Sequence, residues 1–166
     1  MDADSADVIV TEADGHLWSI PADDCGLVAL ESVDRSRHLA EVTWSTEDAA
    51  ELAGGSEVGA AFDRGALGTA AVLLGLGHRM LEMTVEYATD RRQFGAPIGS
   101  FQAVKHHLAD ARTALEFARP LVARAAYSVA TGDPEASVHV SMAKAHASDA
   151  AELAGRAALQ CHGAIG

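Results

Sequence analysis

Two adjacent arginines, Arg91 and Arg92, lie close to an aromatic residue and a glycine–proline turn near the middle of the chain. A planar guanidinium group can donate two parallel hydrogen bonds to phosphate oxygens. Phe94 offers a flat apolar surface to a ring system, and Gln102 lies in the first turn of a predicted helix, where free amide groups favour an anion. These residues could hold the diphosphate of a dinucleotide cofactor. Alternatively, the arginines only neutralise the C-terminal end of the preceding helix, which cations stabilise.

The residues that flank this pair form an extended motif, and a second motif follows further along the chain. The first begins at Tyr87 and reads YATDRRQFGAPIGSFQAVKHHLADA. The second begins at Lys144 and ends in ALQCHGAIG. Their order, with one helical hairpin between them, resembles the signature segments of the acyl-CoA dehydrogenase family. Together with the helix start FDR at residues 62–64, the resemblance covers about residues 58–166.

The resemblance implies FAD as the cofactor, at a site that is shared between subunits. Six positions carry over as cofactor-binding residues: Arg91, Gln93, Phe94, Gln102, Gln160 and Gly163. Arg91 would hold the flavin diphosphate of a neighbouring protomer, and Gln93 and Phe94 would line its adenosine end. Gln102 would contribute from the next helix, while Gln160 and Gly163 would meet the adenine side from another subunit. Arg92 receives no role.

The family's reaction removes the α-proton of an acyl-CoA thioester and passes the β-hydride to the flavin. The resemblance therefore implies an oxidoreductase of lipid metabolism and β-oxidation. Its partners would be an acyl-CoA substrate, an electron-transfer flavoprotein and other subunits in a homo- or hetero-oligomer.

The position of the catalytic base differs among members of the family. It is usually a glutamate beyond the second motif, past residue 166, and a minority of members place it early in the first long helix, where Gly65 stands here. The nearby Asp63 is a carboxylate, and an aspartate there contacts the CoA part in relatives. We therefore expect no catalytic residue in this chain, no turnover from the chain alone, and Asp63 as a substrate-binding residue.

Two alternatives stay open at this point. The chain could be a non-catalytic subunit that contributes cofactor and interface contacts to a partner. It could also be a helical-bundle interaction module that binds no flavin.

The positions of these residues depend on a predicted architecture that is mainly α. Residues 1–45 hold four short β-prone segments, with a hairpin expected at Asp14-Gly15, and read as a remnant of a β-domain. Residues 46–57 read as a connector. Residues 58–166 read as a truncated helical domain, an antiparallel bundle similar to the C-terminal domain of acyl-CoA dehydrogenases.

Three long helices are predicted within this domain, over about residues 58–90, 101–131 and 134–161. Each has a regular apolar stripe that should face the core. The first stripe comprises Leu67, Ala71, Leu74, His78, Leu81 and Val85. The second comprises Phe101, Val104, Leu108, Ala111, Leu115, Ala118, Val122, Ala125 and Val129. The third comprises Val138, Met142, Ala145, Leu153 and Ala157. Pro120 should kink the second helix.

Composition narrows the possible partners. The formal charge of −12 excludes nucleic-acid binding, which needs a basic surface, and disfavours anionic membranes. The longest apolar stretch, residues 66–77, is too short to span a bilayer, and the acidic start has no signal-peptide pattern. Cys25 and Cys161 read as reduced thiols of a cytoplasmic protein. His139 and His146 share a helix face, but no further ligand completes a metal site, so no metal is expected.

Overall fold

The computed structural model describes residues 2–34 and 36–165. These residues form two compact units, which divide between Phe62 and Asp63. Met1 and Gly166, the outer limits of the predicted β-rich and helical domains, lie outside the described residues. Arg35, in a predicted turn, lies outside them as well.

The first unit contains five strands: β1 (Val8–Ala13), β2 (His16–Pro21), β3 (Gly26–Leu30), β4 (Leu39–Thr43) and β5 (Ala50–Gly54). Strand β2 lies between β1 and β5 in one antiparallel sheet, and β3 pairs with β4 in a separate antiparallel hairpin. The four predicted strands are confirmed. Strand β5 lies within the predicted connector and was missed, because its sequence AELAG has low intrinsic strand propensity. It is a strand because it hydrogen-bonds to the free edge of β2.

The hairpin between β1 and β2 has the predicted turn. Ala13 pairs with His16, which leaves Asp14 and Gly15 as a two-residue loop. Both have positive φ, 53° and 77°, as a type I′ turn requires. The Gly15 amide donates to Oε1 of Glu12 at 2.9 Å. Local turn chemistry therefore fixes the register of this hairpin.

The three predicted helices are confirmed as α1 (Ser56–Asp90), α2 (Gln102–Thr131) and α3 (Ala136–His162). Helix α2 continues through Pro120 and ends at Gly132, whose φ of 67° closes the helix in the left-handed conformation. Asp133 then accepts the Glu135 amide at 2.9 Å, so it caps the turn that leads into α3. None of the described helices is apolar over a length sufficient to cross a membrane.

The core of the helical unit is built mainly from alanine. The predicted stripe of α2 is confirmed at its centre, where Ala111, Leu115, Ala118 and Ala125 are buried. They pack against an alanine face of α3 that comprises Ala143, Ala147, Ala150, Ala154 and Ala157. Short side chains on both surfaces let the two helices approach closely. Leu115 is among the largest fully buried side chains in this core.

The predicted stripes of α1 and α3 are partly wrong. On α3, Val138, Met142 and Leu153 are exposed by 53%, 44% and 40%. Ala145 is also exposed, whereas Val140 is buried. The prediction favoured the larger apolar side chains, whereas alanine positions allow the closest helix contact and therefore face the core.

On helix α1 the buried face also differs from the predicted stripe. Leu81 is buried as predicted, but Val85 is 46% exposed. The buried positions include Ala70, Gly77 and Thr84, and the Thr84 hydroxyl donates to the Met80 carbonyl at 2.7 Å. Small residues again mark the contact side of the helix.

Candidate cofactor-binding site

The segment between α1 and α2 is a tightly built corner. Strands β6 (Arg92–Gln93) and β7 (Ala96–Pro97) form a miniature antiparallel hairpin there. The Arg91 amide donates to the Tyr87 carbonyl at 2.9 Å, and the Arg91 carbonyl accepts from the Ile98 amide at 2.8 Å. The backbone of Arg91 is therefore held between the end of α1 and the return of the hairpin.

The corner packs directly on the last turn of α1. A Cβ atom added at Gly99 would lie 3.0 Å from the carbonyl oxygen of Ala88. Glycine at this position therefore permits the close approach of the two backbones.

Phe94 lies at the tip of this hairpin in a costly arrangement. Phe94 and Gly95 have φ of 53° and 81°, and a bulky residue at positive φ costs about 1–3 kcal/mol. The Phe94 side chain is also 94% exposed, and its ring lies edge-on to that of Phe101, with 6.3 Å between ring centroids. The hairpin thus presents an aromatic ring outward at the expense of stability.

The two arginines differ in their surroundings. The side chain of Arg91 is exposed and makes no hydrogen bond or ion pair with any of the described residues. Arg92 reaches the Gly95 carbonyl at 3.5 Å, a weak contact, and its own carbonyl accepts from Nε2 of Gln93 at 2.9 Å. The guanidinium of Arg91 is therefore free to bind an anion.

Helix α2 begins beside these side chains. Gln102 is its first residue and is exposed, and the preceding Phe101 offers no side-chain cap. The first amides of an uncapped helix favour an anion through hydrogen bonding and through the helix dipole. Arg91, Phe94 and the start of α2 therefore provide a cation, a ring surface and an anion-binding helix end in one segment.

The second motif lies at the end of α3. Gln160 is exposed and lines a cavity of about 260 Å³ together with His107 and Asp110 of α2. Gly163 closes the helix with φ of 67°, and its amide donates to the Leu159 carbonyl.

The structure brings the two motifs together at one end of the bundle. The ring of His162 stacks on that of Tyr87, with centroids 4.4 Å apart and planes 21° apart. Sequence reasoning missed this contact, although the antiparallel order of three helices already places the ends of α1 and α3 on the same side.

The predicted substrate residue lies far from this end. Along α1, Asp63 is about 36 Å from Tyr87, at 1.5 Å rise per residue. Asp63 accepts a hydrogen bond from the Ser137 hydroxyl at 3.2 Å, a contact that sequence reasoning also missed. Gly65 is exposed and would have open space around a Cβ atom. The predicted cofactor and substrate positions therefore do not meet within one copy of the chain.

Charge is distributed unevenly between the two units. Only two of the 12 basic residues, Arg35 and Arg37, precede Asp63, so the acidic excess lies in the first unit. The helical unit has equal numbers of acidic and basic residues. The helical unit therefore carries no net formal charge when its histidines are neutral. Burial raises the pKa of the thiol of Cys161, the sequence neighbour of Gln160.

No group of three or more histidine, cysteine, aspartate or glutamate side chains within residues 2–34 and 36–165 is arranged to hold a metal ion.

Comparison with known proteins places this geometry in a family. The model for the acyl-CoA dehydrogenase C-terminal domain matches residues 45–166. The acyl-CoA dehydrogenase IpdE2 of Mycobacterium tuberculosis is 34% identical over 170 residues, which cover 99% of this chain and 48% of that protein. IpdE2 of Mycolicibacterium smegmatis is 39% identical over 134 residues, which cover 81% and 40%.

Solved structures agree with the sequence relatives. The crystal structure of the ChsE4-ChsE5 complex from M. tuberculosis matches with a TM-score of 0.82 at 30% identity, covering 99% of this chain and 47% of that one. The chain thus spans less than half the length of each of these relatives.

Proposed function

Because the chain belongs to the acyl-CoA dehydrogenase family, we propose that its helical unit supplies part of the flavin site of such an enzyme. The family is one of oxidoreductases. The reaction proposed for the complete assembly is the α,β-dehydrogenation of an acyl-CoA thioester. The observation that carries the proposal is the exposed guanidinium of Arg91, which has no hydrogen-bond or ion-pair partner among the described residues, three positions before the outward ring of Phe94.

The residues at the corner suit FAD in chemical type. Arg91 binds the diphosphate, because a guanidinium matches two phosphate oxygens at once. The uncapped start of α2, with Gln102 as its first residue, adds amide donors for the same charge. Phe94 and Gln93 meet the adenosine end, and Phe94 is already oriented outward for stacking before any ligand binds.

The end of α3 contributes the remaining contacts in this proposal. Gln160 presents an amide that can both donate and accept, and Gly163 keeps the backbone free of a side chain where a ring must approach. When bound, FAD supplies the acceptor for the substrate hydride. This chain's own residues bind and orient the adenine dinucleotide portion.

The separation of the two predicted sites supports an assembly of several subunits. Asp63 lies about 36 Å along α1 from Tyr87, which adjoins the corner that carries Arg91, so a complete site would require another subunit. Large apolar side chains on the outer faces of the helices are available for such contacts: Val72, Leu76, Met83, Val138, Met142 and Leu153. Other subunits, an acyl-CoA substrate and an electron-transfer flavoprotein are the proposed partners.

One observation favours a second function, that of a non-catalytic subunit. Gly65 carries no side chain, so the position at which a minority of the family's members hold the base has no carboxylate, and Asp63 accepts a hydrogen bond from the Ser137 hydroxyl. In this form the chain contributes flavin and interface contacts while a partner provides the proton-abstracting carboxylate.

Phe94→Gly tests the flavin assignment through two opposite effects. Glycine relieves the positive-φ strain, so the free energy of unfolding of the flavin-free chain should rise by about 1 kcal/mol. Loss of the ring should weaken FAD binding by about 1–3 kcal/mol, the usual contribution of one base stacked on one aromatic side chain. The measurements are urea denaturation and fluorescence titration with FAD.

Phe117→Ala is the matched control, since Phe117 is another exposed aromatic residue, 71% accessible, away from the corner. It should leave FAD affinity unchanged. Equal FAD affinity for Phe94→Gly and the parent chain would remove Phe94 from the site.

A further inference from the structure

The stacked pair of Tyr87 and His162 joins two segments that carry different parts of the proposed flavin site. Tyr87 lies in the last turn of α1, and its carbonyl accepts the amide of Arg91 at 2.9 Å. His162 lies two residues after Gln160 and directly before Gly163. The stack is the described aromatic contact between the ends of these two helices.

Two contacts fix the His162 ring. Its Nδ1 atom lies 2.8 Å from the carbonyl oxygen of Ala158, which can only accept, so Nδ1 carries the proton and donates. The ring face lies on Tyr87, at a centroid distance of 4.4 Å. The hydrogen bond is local to α3, whereas the stack reaches across to α1.

The turn that follows His162 is held by a hydrogen bond within its own helix. Gly163 has φ of 67° and is exposed, and its amide bonds to Leu159 within the same helix. Helix ends fray readily, because their last carbonyl groups lack helical partners. The stack of His162 on Tyr87 is a contact from outside α3, and it links this turn to the end of α1.

We infer that Tyr87 and His162 are positioning residues, which hold the turn carrying Gln160 and Gly163 against the corner carrying Arg91. The two halves of the ligand site are then presented in one arrangement before the ligand binds. Only the identity of the ligand rests on the function proposed above.

Hydrogen exchange of the Gly163 amide in the flavin-free chain of residues 1–166 tests the inference directly. Tyr87→Ala should accelerate that exchange by about three- to tenfold, because a stacked aromatic pair contributes about that factor in equilibrium. Tyr87 is 76 positions away in sequence, so simple fraying of α3 would not respond to this change. Tyr87→Phe keeps a ring and should restore the slow exchange.

Variants of His162 separate the stack from the local hydrogen bond. His162→Phe keeps an aromatic face but loses the donor to Ala158, and it should retain slow exchange at Gly163. His162→Asn keeps a polar side chain but loses the ring, and it should exchange as fast as Tyr87→Ala. Phe117→Ala, an exposed aromatic residue elsewhere on α2, should change nothing. Circular dichroism of each variant verifies that the helices remain folded.

Unchanged Gly163 exchange in Tyr87→Ala, or fast exchange in His162→Phe with slow exchange in His162→Asn, would overturn the inference. FAD titration of the same variants gives an independent result. Weaker FAD binding in Tyr87→Ala and its recovery in Tyr87→Phe would support flavin as the ligand of the positioned turn. Faster Gly163 exchange in Tyr87→Ala, with no FAD binding by the parent chain even in an assembly with its partner subunits, would leave the positioning role of the stack intact and refute the proposed function.

Discussion

The contact between Gly77 and Leu115 predicts a mutation whose effect on stability changes sign with its background. A Cβ atom at Gly77 would lie 2.6 Å from Cδ2 of Leu115 and 3.5 Å from Cα of Ala151. Leu115 is fully buried among alanines and cannot easily move aside. Overpacking costs about 1–3 kcal/mol, and replacing a helical glycine by alanine recovers about 1 kcal/mol. Gly77→Ala should therefore destabilise the parent chain by about 0–2 kcal/mol.

Leu115→Ala changes this balance. The substitution alone should cost about 3–5 kcal/mol, the upper part of the usual range, because the short neighbouring side chains cannot fill the cavity. In that background the added methyl group of Gly77→Ala enters vacated space, so it should stabilise by about 1–2 kcal/mol. Urea denaturation monitored by circular dichroism gives all four free energies of unfolding and the coupling between the two sites.

Gly75→Ala is the control, since a Cβ atom there meets open space. It should stabilise both backgrounds equally, by about 1 kcal/mol. Equal effects of Gly77→Ala in the two backgrounds would refute the close approach of α1 to Leu115.

Two further predictions concern buried groups of the helical unit. Ser128 is fully buried, donates to the Arg124 carbonyl and accepts from Nδ1 of His139 at 2.9 Å. Ser128→Ala should therefore lower the free energy of unfolding, measured by urea denaturation, by about 1–3 kcal/mol. An unchanged free energy of unfolding would contradict the hydrogen bond between α2 and α3. Burial raises the pKa of the Cys161 thiol, so less thiolate is present at a given alkaline pH. Mass spectrometry should therefore find slower iodoacetamide labelling of Cys161 in the folded chain than in urea. Equal labelling rates in the two conditions would contradict this prediction.

The sequence predicted features that depend on local chemistry. The Asp14-Gly15 turn needs positive φ at both positions. Few other dipeptides tolerate that conformation, so the sequence predicts this hairpin. The sequence also predicts the buried stripe of α2, because the apolar spacing is unbroken around Leu115.

The sequence does not predict features that depend on contacts with residues distant in sequence. Strand β5 is defined by the free edge of β2 rather than by its own residues. Alanine occurs on every side of α3, so apolarity did not distinguish the core position Val140 from the exposed Val138.

The candidate site shows the same division. The order of residues around Arg91 identified the corner, because that motif is local. The cost of placing Phe94 at positive φ, and the contacts of Asp63 and Tyr87 with α3, require the folded backbone.

The most direct test of the account compares two neighbouring arginines. Arg91→Lys keeps the charge but loses the planar fork that matches two phosphate oxygens, so FAD binding should weaken by about 1–3 kcal/mol. Arg92→Lys should change FAD affinity little, because Arg92 makes only a weak contact with the Gly95 carbonyl at 3.5 Å. Both variants are titrated with FAD by fluorescence, in parallel and in the assembly that binds flavin. A loss confined to Arg91→Lys supports the diphosphate clamp, and equal, negligible losses in both variants would reduce Arg91 to a cation at the end of α1.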